Sequence, residues 1–503
     1  MRARLLWRKA YAFCASNIED QMNNIYLSIL KATDFCLARK RIIFPFGAFL
    51  ILAALSWVAL DVLQNFPNSA DEYCYLYQAK TFLKGHFWNA PHPLQDSFLF
   101  FWIFHIKDKL VTHYMPGWAI VLAAFMKLGI PAWLSNPTLG VLFLGVQFRL
   151  GCRIFNERAA FLSVLIMLFS SFFLLNAASY FSHVLSALLI MLFFLKCFEY
   201  VDNQKLSDAF LTGVFFGMAF LTRLTLFLCS LPLIIWVLRQ RISRWAILYF
   251  IAGTLPFIVF LLAYQFCITG KFLSSPLFET NQNLHVWKID LASFYMTHAQ
   301  LKSFIYWTPA FLILVYFVSL LNFAKNSRKT IIGLSFLCLV FGHAFYQADP
   351  GNQYGPRYYF EGYPFLVLLA SAYLFKEEEF SQKSFISKCL FFLFLISIVF
   401  SIPLTYQHFM IEKQVVWERR EPFRLVERNH IKNAIIFLGT GSGALRPMSI
   451  GDLTRNDIDF TNDVLYVWYR GKEDAALKAF YPQKSYYLYF YDPARKRGFL
   501  AKY

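Results

Sequence analysis

The sequence predicts a polytopic α-helical membrane protein of about eleven spans, with surface helices in its first outer loop and a small soluble α/β domain at its C-terminal end. Three observations predict this. Of the 503 residues, 58% are hydrophobic and 16% are charged, where a soluble domain carries about 25% charge. The apolar residues gather in runs long enough to cross roughly 30 Å of hydrocarbon, which takes about 20 helical residues. The net charge is +18, and the basic residues sit in short loops between the runs, as the positive-inside rule requires. That distribution argues against a nucleic-acid partner, whose binding needs a basic patch or stripe.

Nine cysteines are present. Cys197, Cys229, Cys267, Cys338 and Cys389 lie within or beside apolar runs, and Cys74 alone is placed outside the membrane. There is no CxxC pair, so neither a disulfide framework nor a thiolate zinc site is expected.

Residues 1–41 are basic, with Arg2, Arg4, Arg8, Lys9, Lys31, Arg39, Lys40 and Arg41. The first long apolar run, about 42–62, has no small-residue cleavage site after it and is read as a permanent first span. The basic residues ahead of it place the N-terminus in the cytoplasm. The segment itself reads either as a helix on the inner membrane surface or as an ill-ordered tail.

A polar and aromatic stretch follows at 63–132. It holds two helix-like pieces too short to span, about 71–84 and 116–128, which are placed flat on the outer surface. Further apolar runs fall at about 134–150, 159–175, 181–200, 209–222, 224–239, 246–268, 304–323, 330–347, 358–375 and 385–403. The spans at 209–222 and 224–239 are shorter than ideal and need tilt, thinning or burial. Counted from an inside start, Arg149, Arg153 and Arg158 fall inside. So do Arg239, Arg241 and Arg244, then Lys325, Arg328 and Lys329, then Lys376, Lys383 and Lys388. Reading 116–128 as a span would turn all of these outward, so the charge rule favours the surface helix. The domain boundaries are then 1–41, 42–403 and 404–503. Outside lie 63–132, 269–303, 348–357 and the tail, in which 434–439, 464–469 and 485–491 read as strands.

Four constellations on the outer side could carry chemistry. Asp71-Glu72-Tyr73 follows the first span, and either acid could serve as a general base on a hydroxyl or as a metal ligand. The alternative is an acidic helix start, favoured by the helix dipole and capped from Asn68 or Ser69. His113-Tyr114-Met115-Pro116-Gly117-Trp118 could border a substrate, or could simply start a helix within an interfacial aromatic belt. Arg223, between two short spans, suits a phosphate because guanidinium is planar and always charged, or it snorkels to the interface. In 351–370, Tyr354, Gly355, Pro356, Arg357 and Tyr358 precede Glu361, an acid inside an apolar run. Its simplest partner is Arg357 at i−4.

His183 and His343 could line a cavity or satisfy neighbouring carbonyls. Gly439-Thr440-Gly441-Ser442-Gly443 reads as a turn, because Ala444 and Pro447 break the pattern of a nucleotide loop. The histidines of 86–113 show no specific metal spacing.

Taken in order, these segments resemble the GT-C superfamily of membrane glycosyltransferases, in particular bacterial relatives of protein O-mannosyltransferases and of the lipid A aminoarabinose transferase. Residues 71–87 are similar to the family's acidic motif in the first outer loop, and 112–133 to its proline-marked helix. Residues 213–232 resemble its glycine-rich turn ending in Arg, and 355–370 its late span with RY and Pro. The likeness covers about 40–403. Met115 stands where the family often has a first proline, and the adjacent Asp71-Glu72 replaces a DxD, so a divalent metal is left open.

The resemblance implies a polyprenyl-phosphate sugar donor and inverting displacement at the anomeric carbon. Asp71 or Glu72 would be the base, and Arg223 and Arg357 would hold the leaving phosphate. Tyr73, His113, Tyr114, His183, Tyr354, Tyr358 and Glu361 would line the cavity. The acceptor is a lipid, glycan or protein hydroxyl, and the location implied is the inner (plasma) membrane. Two other classes remain. A transporter or flippase would use the intramembrane charges as a path, although no internal repeat is seen. A non-enzymatic assembly protein would use the tail for binding.

Overall fold

The computed structural model describes residues 2–280, 291–345, 353–375, 385–439, 453–492, 495 and 497–503. Lys376 and Lys383, the glycine-rich turn from Thr440 onward and the start of the late motif at Gly351 lie outside these residues.

Helix α1 (Arg2–Ala38) occupies nearly all of the basic N-terminal segment. Helix α2 (Lys40–Trp57) continues through a π-helical turn to Val62 and forms the first apolar span. In the first outer loop, α3 (Ala70–Leu83) and α4 (Pro116–Lys127) match the two expected helices. The hairpin between them, β1 (Ile103–Ile106) and β2 (Lys109–Thr112), was not expected.

The helical body follows with α5 (Ser135–Ile154), α6 (Glu157–Leu168), α7 (Ser171–Asn176), α8 (His183–Asn203), α9 (Leu206–Thr222), α10 (Leu226–Val237) and α11 (Arg244–Thr269). After α12 (Pro276–Glu279) come α13 (Leu291–Trp307), α14 (Leu312–Asn322), α15 (Ser327–His343), α16 (Tyr363–Leu374) and α17 (Phe385–Arg419). Among the described residues, four helices are long and apolar enough to cross a membrane, or five if one bent pair counts as a span. The other expected spans fall on shorter helices or on α5.

Two expectations are corrected here. The run 304–323 is not one straight helix, because α13 and α14 meet at 105°. Pro309 sits at that break, where it lacks a backbone donor and disfavours helix at the preceding residue. Helix α17 runs unbroken through the boundary expected at 403, with Pro403 inside it.

The tail continues with α18 (Glu421–Arg428), β3 (Ala434–Leu438), β4 (Val464–Trp468), α19 (Asp474–Phe480), β5 (Ser485–Asp492) and β6 (Arg497–Lys502). The sheet order is β4-β3-β5-β6, with β3 parallel to both neighbours and β6 antiparallel to β5. All three expected strands form, and β6 is added to them. One face of the sheet packs Ile435, Phe437 and Leu465 against Leu477 and against Phe98 of the first outer loop. Full burial of a side chain like Phe98 is worth about 1.5–3 kcal/mol, so the sheet is fastened to that loop.

Hydrogen bonds extend the fastening. Arg455 donates to the Pro67 carbonyl at 2.7 Å and Thr454 to the Leu99 carbonyl at 2.6 Å. Lys80 pairs with Asp457 at 2.9 Å.

The charges divide the helical body into two ends. Arg153 and Arg328 share Asp202, Arg158 pairs with Asp34, and Lys40 pairs with Glu157. Asp202 ends α8 and His183 begins it. The helix has 21 residues, a rise of about 30 Å. The basic residues expected inside therefore gather about one hydrocarbon thickness from the residues expected outside.

Candidate active site

Helix α3 starts because Ser69 caps it: its Oγ accepts the Glu72 backbone N–H at 3.1 Å. Asp71 and Glu72 then occupy the first turn, where the helix dipole favours acids. The two carboxylates diverge, since adjacent helical residues do not share a face.

Asp71 faces a polar cluster. Its Oδ2 accepts from Arg357 Nη1 at 2.7 Å, and its Oδ1 accepts the Tyr114 hydroxyl. Burial works to raise the Asp71 carboxyl, but the Arg357 guanidinium and the Tyr114 hydroxyl outweigh it and hold the group below the usual carboxylate range. Glu72 turns inward and is fully buried, with its Oε1 accepting the Tyr180 backbone N–H at 2.8 Å. Burial pushes the Glu72 carboxyl up to about 7.

The chain turns sharply before Arg357. Tyr354 and Gly355 both have positive φ, and a Cβ at Gly355 would meet Phe172 at 2.8 Å. Arg357 then lies over the Phe181 ring, 4.2 Å from its centroid.

Glu361 corrects the expected i−4 pair. Residues 357–359 form a 3-10 turn and not a turn of α-helix, so Arg357 and Glu361 do not share a face. Glu361 Oε1 instead forms an ion pair with Arg223, 3.2 Å from its Nε, and lies 2.9 Å from His183 Nδ1. Arg223 ends α9 with an extended backbone, and its guanidinium sits 5.8 Å from the Tyr358 ring centroid. Tyr358 in turn stacks on His343 at 5.0 Å.

Tyr75 links the two acid–arginine pairs. Its ring lies 4.5 Å from that of Tyr114, and its hydroxyl is 3.1 Å from Ser182 Oγ, next to His183.

The structure thus brings together Asp71, Tyr114, Arg357, Arg223, Tyr358, His183 and Glu361. His113 lies against Tyr114, with ring centroids 3.9 Å apart and planes tilted by 40°, and borders the cluster. Tyr354 is fully buried, with its ring centroid 5.6 Å from that of Phe181. Tyr73 points elsewhere, with its hydroxyl donating to the Asn456 carbonyl of the tail.

The surface-belt reading of Trp118 is also corrected. The side chain is fully buried, and its Nε1 donates to the Tyr180 carbonyl at 2.7 Å. Gly117 explains why α4 lies inward. Its missing Cβ would stand 2.7 Å from the Leu221 carbonyl, two residues before Arg223.

Two residues of the cluster were missed. Tyr75 follows Asp71 by four positions, so helical spacing alone could have found it. Phe181 has no such signal, because it meets Arg357 only through the fold. Among the described residues, no three His, Cys, Asp or Glu side chains gather to hold a metal ion.

Residues 99–264 match the family model described as dolichyl-phosphate-mannose-protein mannosyltransferase. That stretch contains Tyr114, His183 and Arg223 and covers less than half of the chain. No curated protein matches the sequence. The structure is similar to that of ArnT from Cupriavidus metallidurans bound to undecaprenyl phosphate, with a TM-score of 0.56 and 12% identity over 90% of this chain and 93% of that one. It is also similar to the apo form of the same protein, with a TM-score of 0.54 and 12% identity over 92% and 94% of the two chains. At that identity the likeness is one of fold. With an ArnT-like fold along most of its length and a match to that family model over residues 99–264, the chain shows the resemblance to GT-C membrane glycosyltransferases read from its four segments.

Proposed function

We propose that this chain is an integral membrane glycosyltransferase that moves a sugar from a polyprenyl-phosphate donor to an acceptor hydroxyl on the extracytoplasmic side. The observation that carries this is the pairing of one partly accessible carboxylate with a fixed arginine, Asp71 with Arg357, beside a second arginine, Arg223. Asp71 retains 22% side-chain exposure, whereas Glu72 is fully buried. Asp71 is therefore the better base. Support for the donor class comes from the mannosyltransferase family match and from the lipid phosphate bound by ArnT.

The reaction is an inverting displacement. The acceptor oxygen attacks the anomeric carbon as Asp71 Oδ2 takes its proton. The bond from that carbon to the phosphate oxygen breaks, and its electron pair stays on the phosphate. Arg357 and Arg223 stabilise that charge as it grows, which electrostatic groups do best when already in place. Glu361, held by His183, orients Arg223. The outward orientation follows from the basic loops gathered at the opposite end of α8. The C-terminal domain, on this reading, lies on the same outer side and docks on the first loop.

The test is sugar transfer by purified protein in nanodiscs from a panel of polyprenyl-phosphate sugars, with Asp71→Asn and Arg357→Ala alongside. Transfer lost in both variants while they stay folded supports the reading. Transfer indifferent to both overturns the site, and donor movement across sealed vesicles without covalent transfer overturns the enzyme.

A further inference from the structure

Both arginines offered to the donor phosphate already hold a carboxylate, but the two pairs differ in how firmly they are closed. The difference lies in the acids: Glu361 is 2% exposed and also lies against His183, while its partner Arg223 is 18% exposed. In the other pair Asp71 is 22% exposed and Arg357 11%, so the pair is open at its acid.

The attachments of the open pair are separable. Asp71 has two oxygens with two different partners: Oδ1 is held by the Tyr114 hydroxyl and Oδ2 by Arg357. Loss of Arg357 would leave Asp71 still positioned by Tyr114. Arg357 likewise rests on the Phe181 ring, a contact independent of Asp71. Each partner keeps a hold when the bond between them opens.

We propose that Asp71 is the resident occupant of an anion seat on Arg357, and that the donor's phosphate takes over this seat and so frees Asp71 Oδ2 to act as base. This rests on the donor reading above. A phosphate and a carboxylate present similar oxygen edges to guanidinium; the donor's phosphodiester carries one negative charge, as the carboxylate does, and gains a second as the sugar leaves. Once the exchange is made, Asp71 loses its cation and gains an anion nearby, and both changes make it more basic.

The base is then available only when the donor is seated. Proton and electron bookkeeping closes in one step. The hydroxyl proton ends on Asp71 Oδ2, the acceptor oxygen bonds to the anomeric carbon, and the lipid phosphate leaves with the electron pair. When the lipid phosphate departs and Asp71 has released its proton to solvent, the Asp71–Arg357 pair re-forms.

The exchange predicts that removing the base tightens lipid-phosphate binding. The experiment is equilibrium binding of undecaprenyl phosphate to the full-length protein in nanodiscs, with undecaprenol as the phosphate-free probe. The expected result is tighter undecaprenyl phosphate binding by Asp71→Asn, by about tenfold (roughly 1.4 kcal/mol), and at least as much tightening by Asp71→Ala. Undecaprenol binding should be unchanged in both. Phosphate-dependent binding by the unaltered protein that is equal or weaker in both variants overturns the exchange and leaves the donor reading standing. An unaltered protein that does not distinguish undecaprenyl phosphate from undecaprenol overturns the donor reading itself, and the exchange with it.

Discussion

Asp71 and Arg357 stand 286 residues apart in the chain and meet at 2.7 Å. This pairing separates two neighbouring acids that the sequence leaves equivalent. Asp71→Asn should lower the turnover rate by about 10²–10⁴-fold, the usual worth of a general base. Glu72→Gln should stay within about tenfold of the unaltered protein, since its amide oxygen can still accept the Tyr180 N–H. Initial rates at saturating donor, on protein matched by gel filtration, check the contrast.

Glu72 should appear instead in the pH dependence of stability. Its folded value near 7 lies above the ordinary 4.5. Between those values the folded chain keeps a proton that the unfolded chain has released. The contribution of Glu72 to stability is therefore full below about 4.5 and is lost as the pH rises toward about 7. Melting temperatures of the unaltered protein should fall across that window relative to those of Glu72→Gln, and parallel curves would refute this.

Gly117→Ala should cost about 1–3 kcal/mol, as overpacking does. The added Cβ would stand 2.7 Å from the Leu221 carbonyl and 2.8 Å from Thr222 Oγ1. Helix α4 must then move off α9, which shifts Tyr114 relative to Arg223. A lower melting temperature together with reduced transfer is expected.

Glu361→Ala takes the shared carboxylate from Arg223 and His183 at once. Breaking a buried ion pair on one side costs about 3–5 kcal/mol, so the variant should give little folded protein. Glu361→Gln should fold better, because it keeps an acceptor. Yield and thermal stability in detergent distinguish the two.

The tail's hold on the first outer loop should rest on Arg455 more than on the surface pairs. Lys80 and Asp457 are 47% and 39% exposed, and such a pair is worth about 0–1 kcal/mol. Asp457→Asn should barely change stability. Arg455 reaches the Pro67 carbonyl and lies 4.4 Å from the Phe66 ring centroid. Arg455→Ala should lower both melting temperature and transfer, with Arg455→Lys recovering part of each.

Much of the helical body was legible in the sequence because apolar runs and flanking charges are local signals. The runs 181–200 and 246–268 became α8 and α11 with small changes at their ends. The start of α4 was legible for the same reason, since Pro116 suits a first helical position. The break in 304–323 was missed although Pro309 marks it, because an apolar run reads as continuous through one proline. Strand β6 was missed because Arg497–Lys502 is short, basic and an edge strand, so no buried alternation reveals it.

By itself the sequence determined that this chain has many apolar helices, where its basic loops fall, and that Asp71, Arg223, Arg357 and Glu361 belong to one side. Periodicity and charge spacing act over a few residues, and a single chain displays them directly. Only the tertiary structure decided the partners. It gave Arg357 to Asp71 and Arg223 to Glu361, turned Glu72 inward to Tyr180, and sent Tyr73 to the tail. Those choices depend on how α3, α4, α8, α9 and the turn before α16 pack together. A contact between residues hundreds of positions apart leaves no local trace in the chain that makes it.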